Sequence, residues 1–151
     1  MARRYSGYAT ATNTTSTTVP MFDVVGAATT RLFAYDLISG SNATPADNYA
    51  QFGIRRVSAR GTQTATWAPT ALDAANPASL AVFNTTWSGN PTITASSDLL
   101  NVSHNQRATF RWVAAPGSEL VVAATAGAGL ALMAVGSNAT AAYQWTLLWE
   151  E

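Results

Sequence analysis

The single histidine of this chain, His104, directly follows Ser103 and lies six residues after Asp98, so a hydroxyl, an imidazole and a carboxylate occur close together in sequence. A nucleophilic relay needs the imidazole held between the other two groups, with the hydroxyl raised on a sharp elbow. Adjacent residues on a strand or turn point apart, and no Gly-x-Ser-x-Gly elbow accompanies these three. His104 is therefore expected to be a solvent-exposed or hydrogen-bonding residue at a turn over residues 101–106, and no catalytic residue is assigned. One histidine and no cysteine leave zinc without enough nitrogen and sulfur ligands.

The eight carboxylates, at Asp23, Asp36, Asp47, Asp73, Asp98, Glu119, Glu150 and Glu151, are scattered and form no dense acidic loop for calcium. Gly127 and Gly129 lack the lysine and the strand-to-helix context of a phosphate-binding loop. No metal and no cofactor is expected.

All eight basic residues are arginine, each a planar fork suited to bidentate pairing with carboxylates. Arg55, Arg56 and Arg60 form the densest positive patch. A nucleic-acid surface would need excess positive charge and outward aromatic platforms. The formal net charge is zero and most aromatics are expected to face inward, so no nucleic-acid partner is expected. The arginines are expected instead to bridge to carboxylates of a neighbouring subunit. Arg3, Arg4, Tyr5 and Tyr8 combine the two residue types favoured at interfaces. Trp67 and Trp87, near loops, are the tryptophans expected to be exposed and the ones a sugar-binding face would use. Five Asn-x-Ser/Thr tripeptides, starting at Asn13, Asn42, Asn84, Asn101 and Asn138, are read as turn and edge residues.

These groups must be carried by strands. The 151 residues amount to about one domain, and with 48% hydrophobic and 11% charged residues the chain has the means to fold. Period-two alternation recurs throughout, whereas capped helical spacing is nearly missing. A strand over Arg107–Ala114 places Phe110 and Trp112 in the core, with Arg107, Thr109 and Arg111 opposite. Pro116-Gly117 should then turn the chain back through Leu120-Val121-Val122 as a hairpin. Leu130–Val135 is almost wholly apolar and expected to be buried on both faces, and the last strand sets Tyr143, Trp145, Leu147 and Trp149 on one core face.

In the first half, a strand over Thr29–Ile38 groups Leu32, Ala34 and Ile38 against Phe33, Tyr35 and Leu37. Gly53–Trp67 is expected to fold about Arg60-Gly61 as a second hairpin. Further strands fit near residues 5–12, 21–25, 80–86, 91–95 and 98–102, with a turn of helix allowed near 45–49 or 72–75. The expectation is an all-β chain: a jelly-roll-like, two-sheet β-sandwich of about eight strands with an extended N-terminal arm. Residues 1–18 are the arm or an edge strand, and 19–151 a single sandwich domain. The start, Met1-Ala2-Arg3-Arg4, has no apolar export segment. The greasy run 120–135, broken by Gly127 and Gly129, is shorter than the roughly 18 residues that span a bilayer, so no membrane partner is expected.

The run from Asn105 to Val122, together with Tyr35–Asp47 and Leu72–Pro77, resembles small virion-associated proteins of tailed bacteriophages, including cyanobacterial phages. The opening Arg3-Arg4-Tyr5-Ser6-Gly7-Tyr8 and the closing Glu150-Glu151 are similar too, so the resemblance covers most of the chain. It implies a capsid decoration, or cement, protein: a non-enzymatic jelly-roll-like module on the outer capsid surface of the virion, bound to the major capsid protein and commonly trimeric. On that reading Arg3, Arg4, Tyr5 and Tyr8 contact capsid or neighbour, and Arg55, Arg56 and Arg60 form a second interface. A carbohydrate- or receptor-binding module and a minor head, neck or tail component are the alternatives.

Overall fold

Tyr143, Trp145, Leu147 and Trp149 are all buried on one face of the last strand, β13 (Ala142–Glu150), as its alternation requires. They anchor the core of an all-β protein, described over residues 2–151 by a computed structural model. Thirteen strands form two sheets, and every paired neighbour is antiparallel. In the first sheet β13 lies between β3 (Leu32–Ser41) and β1 (Arg4–Thr12). Beyond β3 run β10 (Phe110–Val113) and β11 (Leu120–Val122); beyond β1 is the two-residue β6 (Thr70–Ala71). The second sheet runs β5 (Thr62–Trp67), β7 (Val82–Gly89), β2 (Phe22–Val25), β12 (Gly129–Ser137), β4 (Tyr49–Ala59), with β8 (Thr92–Ile93) and β9 (Leu100–Asn105) both on the far side of β4.

The chain passes from sheet to sheet at β1–β2, β2–β3, β3–β4, β5–β6, β6–β7, β9–β10, β11–β12 and β12–β13. This repeated crossing makes a jelly-roll-like sandwich, and its core joins inner-face residues of both sheets. Phe52 packs edge-on against Tyr143 and Trp145, and Phe83 stacks on Phe22. Each large side chain withdrawn from water this way contributes about 1.5–3 kcal/mol. Strand β12 is buried on both faces, as expected. Leu130, Leu132 and Ala134 belong to the main core, while Ala131 and Met133 pack with Val57 on the sheet's other side.

Thirteen strands replace the expected eight because several are fragments of two to four residues. Both expected hairpins are absent. Strands β10 and β11 lie end to end along β3, pairing with its residues 36–39 and 32–34, so Pro116-Gly117 caps an excursion and not a reversal. Strand β5 pairs with β7, at the opposite side of the second sheet from β4. In β3 a bulge opposite Leu148 and Trp149 shifts the alternation, so Leu37 joins Leu32 and Ala34 in the core and Ile38 turns outward. Residues 107–109 belong to a turn, leaving Arg111 as the arginine of that strand. Phe110 and Trp112 are half-buried at the margin of the core. No helix occurs among the described residues, and Asp73–Asn76 is a turn. Of the arm and the edge strand, Arg4–Thr12 takes the strand, paired along its whole length with β13. Met1 lies outside the described residues.

Candidate functional site

The tyrosines and arginines of β1 divide between its two faces. Tyr5, expected at an interface, is fully buried: its ring packs near Trp149 and its hydroxyl donates to the Pro77 carbonyl at 3.0 Å. Alternation puts Tyr5, Gly7 and Ala9 inward, so Tyr5 cannot touch a partner. Arg4 and Tyr8 are on the outer face. Tyr8 meets the ring of Trp67 edge-on at 5.2 Å, and Trp67 is 48% exposed. Arg3 is exposed and its backbone pairs with Glu151. Leu72 and Leu80, each 50% exposed, border the same end of β1: Leu72 N–H donates to the Arg4 carbonyl, and Leu80 N–H to the Glu151 carboxylate.

Arg55, Arg56 and Arg60 sit on the other sheet and do not form one free patch. Arg55 forks onto Asp98 of its own chain at 2.7 and 3.4 Å. Arg56 reaches across the sandwich, its Nη1 donating to the Val121 carbonyl of β11 at 2.9 Å. Arg60 is exposed and its field acts on the buried Asp23. A second arginine fork, Arg111 onto Asp36 at 3.1 and 2.6 Å, bridges β10 to β3.

On the outer face of the first sheet, Phe33 and Tyr35 of β3, Arg4 and Glu150 from the neighbouring strands, and Pro116 and Glu119 of the β10–β11 loop line an open cleft of about 520 Å³. Gly117 shapes its rim: at φ +82° it completes the turn in which Ser118 N–H donates to the Ala115 carbonyl, and its own N–H donates to Glu119 Oε1. Arg4 Nε donates to Glu150 Oε2 at 3.2 Å, and its guanidinium carbon lies 5.9 Å from the centre of the Tyr35 ring. Burial, opposed by Arg4, pushes the Tyr35 hydroxyl above the ordinary phenol range.

His104 corrects the expectation of a hydrogen-bonding or exposed turn residue. It belongs to β9, stacks on Phe110 and packs against Phe52 and Tyr143, and neither ring nitrogen has a partner. Desolvation lowers its pKa. Asp98, its supposed relay partner, is held by Arg55. Among the described residues no three of His, Asp and Glu gather around a possible metal position. Trp67 is exposed as expected, whereas Trp87 is half-buried with its indole nitrogen covered. Of the five tripeptide asparagines, Asn42, Asn101 and Asn138 are exposed, but Asn13 and Asn84 are buried. Asn84 lies inside the second sheet and not at a turn or edge.

Three polar side chains act as anchors in a way that no motif announces: Asn13 and Gln106 are buried and Glu151 is half-buried. Asn13 accepts from Ala141 N–H at 2.6 Å, and its Nδ2 donates to Ser137 Oγ at 3.0 Å. Gln106 accepts from Ala46 N–H and donates to the Ala139 carbonyl at 2.8 Å, tying three loops at one end of the sandwich. Glu151 accepts from Ser79, Leu80, Ala81 and Trp149. Apart from Trp149, their partners are far away in sequence, so only an odd polar residue beside apolar neighbours could have marked them. Comparison with known protein families and with curated proteins gives no match for this chain.

Proposed function

We propose that this protein is a capsid decoration protein that binds the outer surface of a tailed-phage head as a trimer, holding the major capsid protein lattice together without turnover. The resemblance of its sequence to virion proteins motivates the reading. The observation that carries it structurally is an edge of exposed Trp67, Leu72 and Leu80, with half-buried Tyr8 against Trp67 and exposed Arg3 nearby, on an otherwise weakly charged sandwich. Aromatic and arginine side chains at such an edge are efficient interface anchors. The short threonine, serine and alanine side chains elsewhere lose little entropy when covered.

Binding to the assembled lattice and not to separated subunits would stabilise the shell by linkage, and a trimer makes each later contact intramolecular. Because β1 is a core strand, point substitutions test this and truncation does not. Heads lacking the protein, mixed with the wild type, should take up hundreds of copies per particle by quantitative mass spectrometry and withstand heating better. Trp67→Ala with Leu72→Ser should lower occupancy while the variant still melts cooperatively. Unchanged occupancy removes this edge from the account. A dozen or fewer copies per particle favours a neck or tail role.

A further inference from the structure

We propose that the cleft of about 520 Å³ on the outer face of the first sheet binds a neutral saccharide. Its volume lies within the range of small-molecule sites and suits a ligand of disaccharide size. Phe33 and Tyr35 are two residues apart on β3, so both rings stand on one face, half-exposed, while Leu32 and Ala34 between and before them point into the core. Sugar C–H groups carry a partial positive charge and rest favourably on the electron-rich face of such rings.

The polar groups around the rings select the ligand class. Arg4 donates to Glu150 through its Nε, and among the described residues its Nη donors and Glu150 Oε1 have no side-chain partner. Glu119 accepts one backbone hydrogen bond through Oε1 and has acceptor capacity left. Donors and acceptors thus alternate around an apolar floor. Hydroxyl groups, each both donor and acceptor, match that alternation, and planar guanidinium and carboxylate groups can each engage two neighbouring hydroxyls. A phosphate or carboxylate ligand would meet Glu119 and Glu150. A cation would be repelled by the Arg4 guanidinium, which already pairs with Glu150. A neutral polyhydroxylated ligand meets neither obstacle.

The cleft is lined by none of Tyr8, Trp67, Leu72 and Leu80, so this inference does not depend on the capsid reading. The test is a glycan array carrying neutral, sialylated and sulfated glycans, probed with the full-length protein, followed by titration calorimetry with the best soluble glycan. Neutral glycans should bind best. Tyr35→Ala should weaken binding about tenfold and Glu119→Gln about threefold, with thermal midpoints unchanged. Glu119→Gln keeps the acceptor for Gly117 N–H and so remains informative if Tyr35→Ala folds poorly. Binding confined to acidic glycans, no binding to any glycan, or neutral binding that survives both substitutions overturns the proposal.

Discussion

Asn84 Nδ2 donates to Asp23 Oδ1 at 2.5 Å across the β7–β2 pairing, with both side chains fully buried. Phe22 and Val24 face the core, so Asp23 lies on the opposite face of the second sheet, near Arg60 and Trp87. Its Oδ2, the Asn84 carbonyl oxygen and the Trp87 indole nitrogen have no hydrogen-bond partner. The indole N–H still draws the Asp23 pKa down without meeting hydrogen-bond geometry. Burial prevails over Asn84, Arg60 and Trp87 and raises the carboxyl from 3.8 to about 6.

A raised folded-state pKa means that the native protein binds this proton more tightly than the unfolded chain does. The associated stability is full below about pH 4 and is lost as pH rises through about 6, a difference of about 3 kcal/mol. Asp23→Asn removes the titration. Its stability relative to wild type, from urea midpoints at pH 4, 5, 6 and 7, should rise across that series by about 3 kcal/mol. Parallel profiles would show that Asp23 is solvated in solution.

His104 has the opposite sign. Desolvation lowers its pKa, so the native state prefers the neutral ring, and stability falls as pH drops below the ordinary histidine range near 6.5. His104→Phe removes two unpartnered nitrogens while keeping a flat ring between Phe52, Phe110 and Tyr143. The variant should melt higher than wild type, with a larger gap at pH 5 than at pH 7. A lower melting temperature at both pH values would mean that the nitrogens are satisfied in solution.

The Glu151 carboxylate fastens the segment before β7 to the end of β13, accepting from Ser79 Oγ at 2.5 Å, Leu80 N–H at 2.9 Å and Ala81 N–H at 3.0 Å. Burial acts to raise its pKa, but the donors together outweigh burial and hold it below the ordinary carboxylate range. Its contribution is therefore present at neutral pH and lost as the solution is acidified through that lowered pKa. Glu151→Ala should cost about 1–2 kcal/mol, since the group is half-exposed. Hydrogen exchange at Leu80 and Ala81 should speed up while β12 stays protected, and unchanged exchange there would refute the clamp.

The β13 stripe and the doubly buried β12 were legible because period-two alternation depends only on neighbours along the chain. Pairing was not. Pro116-Gly117 announces a turn, but whether β11 returns beside β10 or continues along β3 depends on β3, some 80 residues earlier. The bulge that sends Ile38 outward is equally silent, since one extra residue changes parity without changing composition. In the candidate site, Arg4 stands out in the sequence but its neighbours do not. The sequence shows an arginine beside tyrosines; Glu150, Tyr35 and Glu119 reach it only through the β1–β13–β3 register and the loop after β10. Arg55 and Asp98, 43 residues apart, became a pair for the same reason.

The two sheets pack tightly at Gly7, where an added Cβ would lie 2.4 Å from Cδ2 of Phe83. Phe83 has nowhere to retreat, being stacked on Phe22 at 4.9 Å and parallel to Trp149 at 6.2 Å. Gly7→Ala should therefore cost about 1–3 kcal/mol through overpacking, despite alanine's lower unfolded-state entropy. Phe83→Leu alone should also destabilise, by removing part of a buried ring. Combined, the two should cost less than the sum of their separate effects, because the smaller side chain makes room for the methyl group. A thermal or urea double-mutant cycle reads this directly. Strict additivity would mean that Gly7 and Phe83 do not touch, and that the sheets meet there less closely than the geometry states.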